Sequence, residues 1–218
     1  MSLTLYFHPL SSFCQKVLIA LYENDTPFKP EIVDLFDEAA SAAFKKIWPI
    51  GKFPVLRDEG RDRTIPESSI IIEYLQQYFP GKTRFIPAEA ELARQMRFRE
   101  RFFDLHVNVP MQKIVTDRLR PAGKNDSYGV EQARAQLRTA LGLAESGMAG
   151  KTFAMGEDFT MADCAAAPAL FYANLVMPFG ETHPNTAAYL NRLMQRPSFA
   201  RAVKEAKPYL NLVPKEKA

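Results

Sequence analysis

The order of apolar and polar residues predicts that the first part of the chain alternates strands with helices. Leu3–Phe7 is a short strand-like run, and Val17, Leu18 and Leu21 then recur at helical spacing within 13–22. The alternation continues with a strand at 27–33, a helix at 37–48, strands at 53–56 and 64–65, and a helix at 69–79. This β-α-β-α-β-β-α order predicts a four-stranded sheet with one parallel crossover and an antiparallel edge.

The rest of the chain shows only helical spacing. The polar stretch Pro80–Arg84 breaks helices, so we expect a boundary near it, with one domain at 1–80 and a second at 88–218. The expected helices of the second part lie at 88–119, 128–147, 160–176, 184–195 and 198–206. Pro110 should kink the first of them. The expected fold class is α/β followed by all-α.

Composition narrows the class of protein. The chain has 47% hydrophobic residues, and 28 Lys and Arg against 25 Asp and Glu leave a net charge of only +3, which argues against nucleic acid or an anionic membrane as partner. Only two cysteines occur, and Met1–Leu5 lacks the features of a signal peptide, so we expect a reduced, cytoplasmic protein. Neither a membrane span nor ligand spacing for a metal is found in the sequence.

Two neighbouring motifs suggest a site for a small extended peptide. Pro54 cannot donate to a sheet ladder, so the backbone N–H and C=O of Phe53 can face outward and pair with a peptide. Glu67 and Ser68 stand directly before a predicted helix, whose free N–H groups suit a carboxylate. The first motif offers backbone pairing and the second holds a charged end.

A third motif is predicted to be structural. Thr160 and Asp163 have the spacing of a capping box, and Phe159 stands where a hydrophobic staple begins. An Asp beside a helix start is ordinarily part of a cap. We therefore assign Thr160 and Asp163 to helix initiation rather than to catalysis.

In this order, the three motifs resemble those of a cytosolic glutathione transferase of the theta-, zeta- or beta-like bacterial type. Trp48–Leu56 is similar to the family's Asn-Pro-x-Gly-x-Val-Pro-x-Leu, and Pro66–Ser68 and Phe159–Asp163 follow at the family's spacing. The resemblance covers nearly the whole chain. It implies a thioredoxin-like first domain with a cis Pro54, a helical-bundle second domain, a homodimer and a role in detoxification.

The resemblance also implies how glutathione would bind. The backbone of Phe53 would pair with its cysteinyl part, Glu67 and Ser68 would hold its γ-glutamyl end, and Lys52 would face its glycyl carboxylate. Each residue also has a plainer interpretation. Phe53 could be a packed strand residue, Ser68 a helix cap, and Lys52 and Glu67 solvated charges.

Conjugation requires the glutathione thiol as a thiolate, although a free thiol is largely protonated at neutral pH. A hydroxyl donor at a helix N-terminus lowers the thiol pKa, and the family's Ser pattern places Ser11 there, with Ser12 as second choice and helix capping as the alternative for both. Tyr6 is a less favoured candidate. Cys14 stands three residues after Ser11, as in a thioredoxin motif whose attacking cysteine is replaced, and we expect it to be a buried apolar residue rather than a redox group.

Two residues are candidates for the second-substrate site, which the family places between the loop before Phe13 and the first long helix of the second domain. They are Phe13 itself and His106, which follows Leu105 as in bacterial beta-class members. A solvated or core histidine is the alternative for His106.

The same long helix carries a charged face. Arg94, Arg97 and Arg101 share it with Glu91 and Glu100, and we expect all five to be solvated. Because family members commonly dimerise through this helix, an interface is the alternative.

The sequence therefore predicts a glutathione transferase that joins glutathione, as co-substrate, to an electrophilic hydrophobic small molecule, without a further cofactor. One alternative is a non-catalytic glutathione-binding or stress interaction protein of the same fold. Another is a glutathione-dependent isomerase or disulfide exchanger.

Overall fold

The first part of the computed structural model, which describes residues 2–214, is built on one mixed sheet. Its strands are β1 (Leu3–Phe7), β2 (Lys29–Ile32), β3 (Val55–Asp58) and β4 (Arg63–Pro66), in the order β2-β1-β3-β4. Strand β1 pairs in parallel with β2 and antiparallel with β3, which pairs antiparallel with β4. The predicted sheet is confirmed.

Three helices accompany the sheet, namely α1 (Ser12–Glu23), α2 (Glu38–Ile47) and α3 (Ser68–Tyr78). Six more follow it, namely α4 (Ala90–Phe102), α5 (Val109–Asp117), α6 (Ser127–Met148), α7 (Met161–Val176), α8 (Pro184–Gln195) and α9 (Pro197–Ala206). The fold class, a thioredoxin-like domain followed by a helical domain, is confirmed. The domain limits of 80 and 88 stay a prediction.

The predicted helix at 88–119 is divided in the structure. Between α4 and α5 the backbone forms a π-helical segment, Phe103–Asn108. Pro110, the second residue of α5, has no N–H to donate to the fourth residue before it, so regular α-helical hydrogen bonding cannot continue through this point. The wider turns lie directly before that proline, and such segments are frequent at functional sites.

Helix α7 is the centre of the second domain, and almost all of its residues are buried. Its start contains the capping box, in which Ala162 N–H donates to Thr160 Oγ1 at 3.3 Å and Thr160 N–H donates to Asp163 Oδ2 at 2.8 Å. The fully buried Asp163 also accepts from Tyr189 of α8 at 2.6 Å. This carboxylate therefore joins two helices, and α7 in turn supports α1 of the first domain.

Candidate functional site

Ser11 is the N-cap of α1, directly after the loop that leaves β1. Its Oγ accepts a long hydrogen bond from Cys14 N–H, at 3.4 Å. That bond uses a lone pair, and the hydroxyl of this half-buried side chain also donates towards the Cys14 sulfur, which lowers the Cys14 pKa against the effect of burial. Ser11 therefore stands at the positive end of a helix with a proton to donate, as stabilisation of a thiolate requires.

Three hydrogen bonds fix the loop that carries Ser11. Gln15 Nε2 donates to Pro9 O at 2.8 Å, Leu10 N–H donates to His8 Nδ1 at 3.2 Å, and Ser11 N–H donates to His8 O at 3.0 Å. The buried Gln15 amide also donates to the hydroxyl of Tyr172 on α7, at 3.1 Å. The position of Ser11 consequently depends on the second domain as well as on the first.

The neighbouring candidates Ser12 and Cys14 are less available. Ser12 is buried, and its Oγ accepts from Gln112 of α5 at 3.4 Å. The side chain of Cys14 is fully buried, and burial raises its pKa to about 12. Because the thiolate is the reactive form of cysteine, this thiol is inert at neutral pH, which argues against the redox alternative.

Phe53 precedes a cis peptide bond to Pro54, as the resemblance implies. Strand β3 begins only at Val55, so Phe53 lies outside the ladder between the described strands. The Phe53 ring stacks on that of His8, with centroids 6.2 Å apart. The peptide-pairing candidate and the Ser11 loop are therefore neighbours. Lys52, beside Phe53, is exposed.

Glu67 has an unusual backbone, with φ +69° and ψ 120° at the N-cap of α3. A non-glycine residue rarely adopts positive φ, and such strain is found where the surrounding structure requires it, often at binding sites. The Glu67 side chain is exposed and makes no capping bond, whereas Ser68 begins the helix and is buried. The first turn of α3 thus has no side-chain cap, and its N–H groups suit an anionic ligand.

Sequence reasoning missed a buried ionic cluster behind this turn. Lys16 of α1 is only 1% exposed, and its Nζ donates to Asp104 Oδ2 at 2.7 Å, to Ser69 Oγ at 3.0 Å and to Glu100. The prediction that Glu100 belongs to a solvated face was wrong, because Glu100 is buried and also accepts from Ser69. Ser69 follows Ser68, so the cluster connects the start of α3 to α1 and α4.

The two carboxylates of this cluster are held differently. Burial raises the pKa of Asp104 to about 6, with Lys16 opposing and the nearby Glu100 adding to the rise. Burial also disfavours ionised Glu100, but the charge and hydrogen bond of Lys16, aided by Ser69, hold the pKa of Glu100 below its usual value. One buried cation thus faces two acids of unequal strength, and the exposed Arg101 lies 4.0 Å from Asp104. The sequence signal that could have revealed this cluster is Lys16, a lysine among the apolar residues of α1.

The other predicted residues lie in three different elements of the structure. Phe13 is half-buried in the first turn of α1. His106 is exposed in the π-helical segment, and its one ring contact in the described part of the chain is with Phe102, at 5.8 Å. No described contact joins His106 to Ser11 or Phe53. Thr160 and Asp163 belong to the start of α7, where their contacts are structural.

Between residues 2 and 214, no group of three His, Cys, Asp or Glu side chains is arranged to hold a metal ion. Nor does any helix in that range have the length and apolarity needed to cross a membrane.

Two family models match this chain, and both describe the glutathione S-transferases. The N-terminal domain of that family matches residues 5–83, and its C-terminal domain matches residues 127–192. Together they cover most of the sheet domain and the centre of the helical domain.

The chain is also similar to individual proteins over nearly its whole length. A stringent starvation protein A homologue from Histophilus somni is 25% identical over 94% of this chain and 92% of its own. Glutathione S-transferase GstB from Escherichia coli K12 is 23% identical over 92% of this chain and 97% of its own. The crystal structure of a glutathione S-transferase from Methylobacillus flagellatus KT with glutathione bound matches with a TM-score of 0.84 at 25% identity, over 92% of this chain and 98% of that chain.

Proposed function

Because the chain belongs to the glutathione S-transferase family, we propose that it binds glutathione and transfers its thiolate to an electrophilic hydrophobic small molecule. The observation that carries this proposal is the placement of Ser11, a hydroxyl donor that caps the positive end of α1, beside the His8–Phe53 stack. The reaction forms a carbon–sulfur bond, while the leaving group departs with the electron pair of the broken bond. The thiol proton leaves to solvent before the attack.

In this proposal, Ser11 is the catalytic residue because its hydroxyl donates to the glutathione sulfur. A donor to the charged form lowers the thiol pKa, and each unit is worth 1.36 kcal/mol. The positive end of α1 acts in the same direction. The three hydrogen bonds of the loop hold the hydroxyl in place, so little reorganisation is needed when the thiolate forms.

The binding of glutathione is assigned to the two motifs beside Ser11. The backbone of Phe53 pairs with the cysteinyl part, and Lys52 faces the glycyl carboxylate. Ser68 and the N–H groups of the first turn of α3 accept the γ-glutamyl carboxylate, and Glu67 faces its amino group. The strained Glu67 backbone and the absence of a side-chain cap on α3 support this assignment.

The second substrate is placed between Phe13, the π-helical segment and α5. His106 is kept as a candidate because it lies on that segment. The contact between Ser12 and Gln112 supports this location, since it brings the start of α5 to the loop that carries Ser11.

We also propose that two copies associate through α3 and α4. Arg97 of α4 donates to Glu73 of α3 at 3.0 Å, and each of these two helices carries an exposed large apolar residue, Ile70 on α3 and Phe98 on α4. Phe98 and the exposed Leu143 of α6 also border a cavity of about 200 Å³ that an apolar side chain of a second copy could fill. Exposed apolar surface of this kind is typical of an interface.

The catalytic assignment is tested with Ser11→Ala, and with Ser12→Ala and Cys14→Ala as matched controls. We expect Ser11→Ala to lower kcat for conjugation of an aryl halide by about 10²-fold, as loss of a preorganised donor does in other enzymes. The ultraviolet absorbance of bound thiolate, followed against pH, should show a raised glutathione pKa in Ser11→Ala alone. Unchanged turnover and thiolate absorbance in that variant would exclude Ser11.

The stringent starvation protein A relatives favour a second candidate function, that of a non-catalytic glutathione-binding or stress interaction protein of the same fold. Calorimetry with glutathione, together with an assay of turnover, distinguishes this second candidate from the proposed transferase. Binding without turnover of any electrophile supports the second candidate, and failure to bind glutathione contradicts the proposed transferase. The buried, protonated Cys14 weighs against disulfide exchange as a third function.

A further inference from the structure

His8, the first residue after β1, lies in the loop that leads to Ser11 and is held there by several contacts. Its carbonyl accepts from Ser11 N–H at 3.0 Å, and its Nδ1 accepts from Leu10 N–H at 3.2 Å. Its ring stacks on that of Phe53, with centroids 6.2 Å apart, and meets the Tyr209 ring edge to face at 5.2 Å. The imidazole is therefore fixed in the same loop as the hydroxyl donor of Ser11.

The bond from Leu10 determines which ring nitrogen of His8 carries the proton. Because Nδ1 accepts from a backbone N–H, it is unprotonated, and the neutral imidazole carries its proton on Nε2. Burial lowers the His8 pKa, with Asp34 opposing, so the imidazole is neutral at neutral pH. His8 thus offers an Nε2–H donor.

This donor has no partner of its own within residues 2–214, since Nδ1 makes the one side-chain hydrogen bond of His8 there. The side-chain atoms of those residues that are both buried and unpaired belong to Gln15, Asn108 and Thr186. The Nε2 atom of His8 is not one of them, so solvent or a ligand can reach it. A fixed, accessible and unpaired N–H is available to a substrate.

Such a donor suits an electrophile in which negative charge collects on oxygen. When a thiolate adds to the β-carbon of an α,β-unsaturated carbonyl compound, a carbon–sulfur bond forms, the carbon–carbon π bond breaks, and the carbonyl oxygen becomes an enolate oxygen. A preorganised N–H stabilises this oxygen, and a neutral imidazole can do so without giving up its proton. The α-carbon then takes a proton from solvent, and no group leaves.

We propose that His8 is a second catalytic residue, which donates from Nε2 to the carbonyl oxygen of the electrophile, and that α,β-unsaturated carbonyl compounds are the substrate class. The inference deepens the proposed function and rests on it, because it assumes the glutathione thiolate at Ser11. The two donors of the loop then act on different atoms. Ser11 stabilises the attacking sulfur, and His8 stabilises the charge that the attack creates.

The test compares two electrophiles that share a phenyl ring. Benzylideneacetone is an enone whose oxygen gathers charge, whereas the charge from benzyl chloride leaves with chloride. We would measure kcat/KM for both with wild type, His8→Phe and His8→Gln. Phenylalanine keeps a ring between Phe53 and Tyr209 but has no N–H, whereas the glutamine amide can still donate. His183→Phe, at the start of α8, is the matched control, and thermal melts would establish that each variant is folded.

We expect His8→Phe to lower kcat/KM for the enone by about 10²-fold, as loss of one preorganised donor does in other enzymes, and kcat/KM for benzyl chloride by less than about threefold. His8→Gln should retain more of the enone rate than His8→Phe, and His183→Phe should match the wild type. Equal losses for the two electrophiles, a loss for neither, or a wild type inactive on the enone overturn the inference while the proposed function stands. A wild type that does not bind glutathione, measured by calorimetry, overturns the proposed function and the inference together.

Discussion

Gln15 is a buried side chain that determines where Ser11 lies. Its amide holds the carbonyl of Pro9 and the hydroxyl of Tyr172, while within the described residues its own Oε1 has no hydrogen-bond partner. A buried carbonyl deprived of its donor costs about 1–3 kcal/mol. The position of the Ser11 loop therefore depends on a buried residue outside the proposed site.

We expect Gln15→Leu to lower kcat for conjugation about tenfold, through displacement of Ser11, while the Kd for glutathione changes less than twofold. Its free energy of unfolding should fall by about 1–3 kcal/mol. Tyr172→Phe is the control, because it removes the phenol contact but keeps the bond to Pro9, and it should retain most of kcat. Steady-state kinetics and urea unfolding measure both effects. Equal kcat losses in the two variants would contradict a role through Pro9.

At this scale, the sequence reveals the candidate site residues that stand in local motifs. Ser11, Phe53 and Glu67 are recognisable because capping, proline and helix-start signals act over a few neighbouring residues. Gln15 and Lys16 are not recognisable in this way. Their partners Tyr172 and Glu100 stand 157 and 84 positions further along the chain, and only the folded structure brings them together.

Among the helices, α1, α3 and α4 meet at the buried cluster of Lys16, Ser69, Glu100 and Asp104. Lys16 is the buried cation that faces two carboxyl groups there, and the exposed Arg101 lies 4.0 Å from Asp104, so ionisation of both acids is only partly compensated away from water. The raised pKa of Asp104, about 6 against an ordinary value of 3.8, expresses that cost. Because the folded state binds this proton more tightly than the unfolded state, the Asp104 contribution to stability is present below pH 4 and is lost as pH rises through 6.

We expect Asp104→Asn to abolish this loss of stability at higher pH. The amide oxygen of Asn can still accept from Lys16, but it carries no charge. Between pH 4 and 7 the unfolding free energy of the wild type should fall relative to that of Asp104→Asn, by up to about 3 kcal/mol. Glu100 hydrogen-bonds to Asp104 and faces the same lysine, so the measured difference belongs to the titration of the pair. Denaturant unfolding across this range measures the difference. Glu131→Gln, on the exposed surface of α6, should run parallel to the wild type; a parallel curve for Asp104→Asn would contradict the assignment.

Element positions were largely predictable because periodicity and caps are local signals. The predicted helix at 184–195 matches α8, and the strand Leu3–Phe7 matches β1. The π-helical segment was not predictable in this way. Pro110 marks that regular bonding must stop, but this local signal does not say which turn the backbone takes before it, and the segment carries Asp104, whose partner Lys16 is distant in sequence.

At the scale of the whole molecule, the exposed apolar surface on α3, α4 and α6 is where we propose that two copies associate. Phe98 and Leu143 are 68% and 61% exposed, although both are large and apolar. We propose above that a second copy covers them. In a symmetric dimer, the exposed Phe98 and Leu143 of one chain would form part of that chain's half of the interface.

We expect Phe98→Glu to convert a dimer into a monomer, because a carboxylate cannot enter an apolar interface without a partner. Light scattering coupled to gel filtration gives the mass directly. Leu175→Glu changes an exposed leucine at the end of α7 and should leave the mass unchanged. A wild-type chain that is monomeric at micromolar concentration would contradict the proposed assembly.

The ion cluster at Lys16 also limits how this chain can be recombined with its relatives. A hybrid that joins this first domain to the helical domain of another member would bury Lys16 without Glu100 and Asp104, unless the donor has acids at both places. An unmatched buried charge destabilises by about 3–5 kcal/mol, a large part of the stability of a typical domain. The two halves of this protein are therefore exchangeable only together with their matching charges.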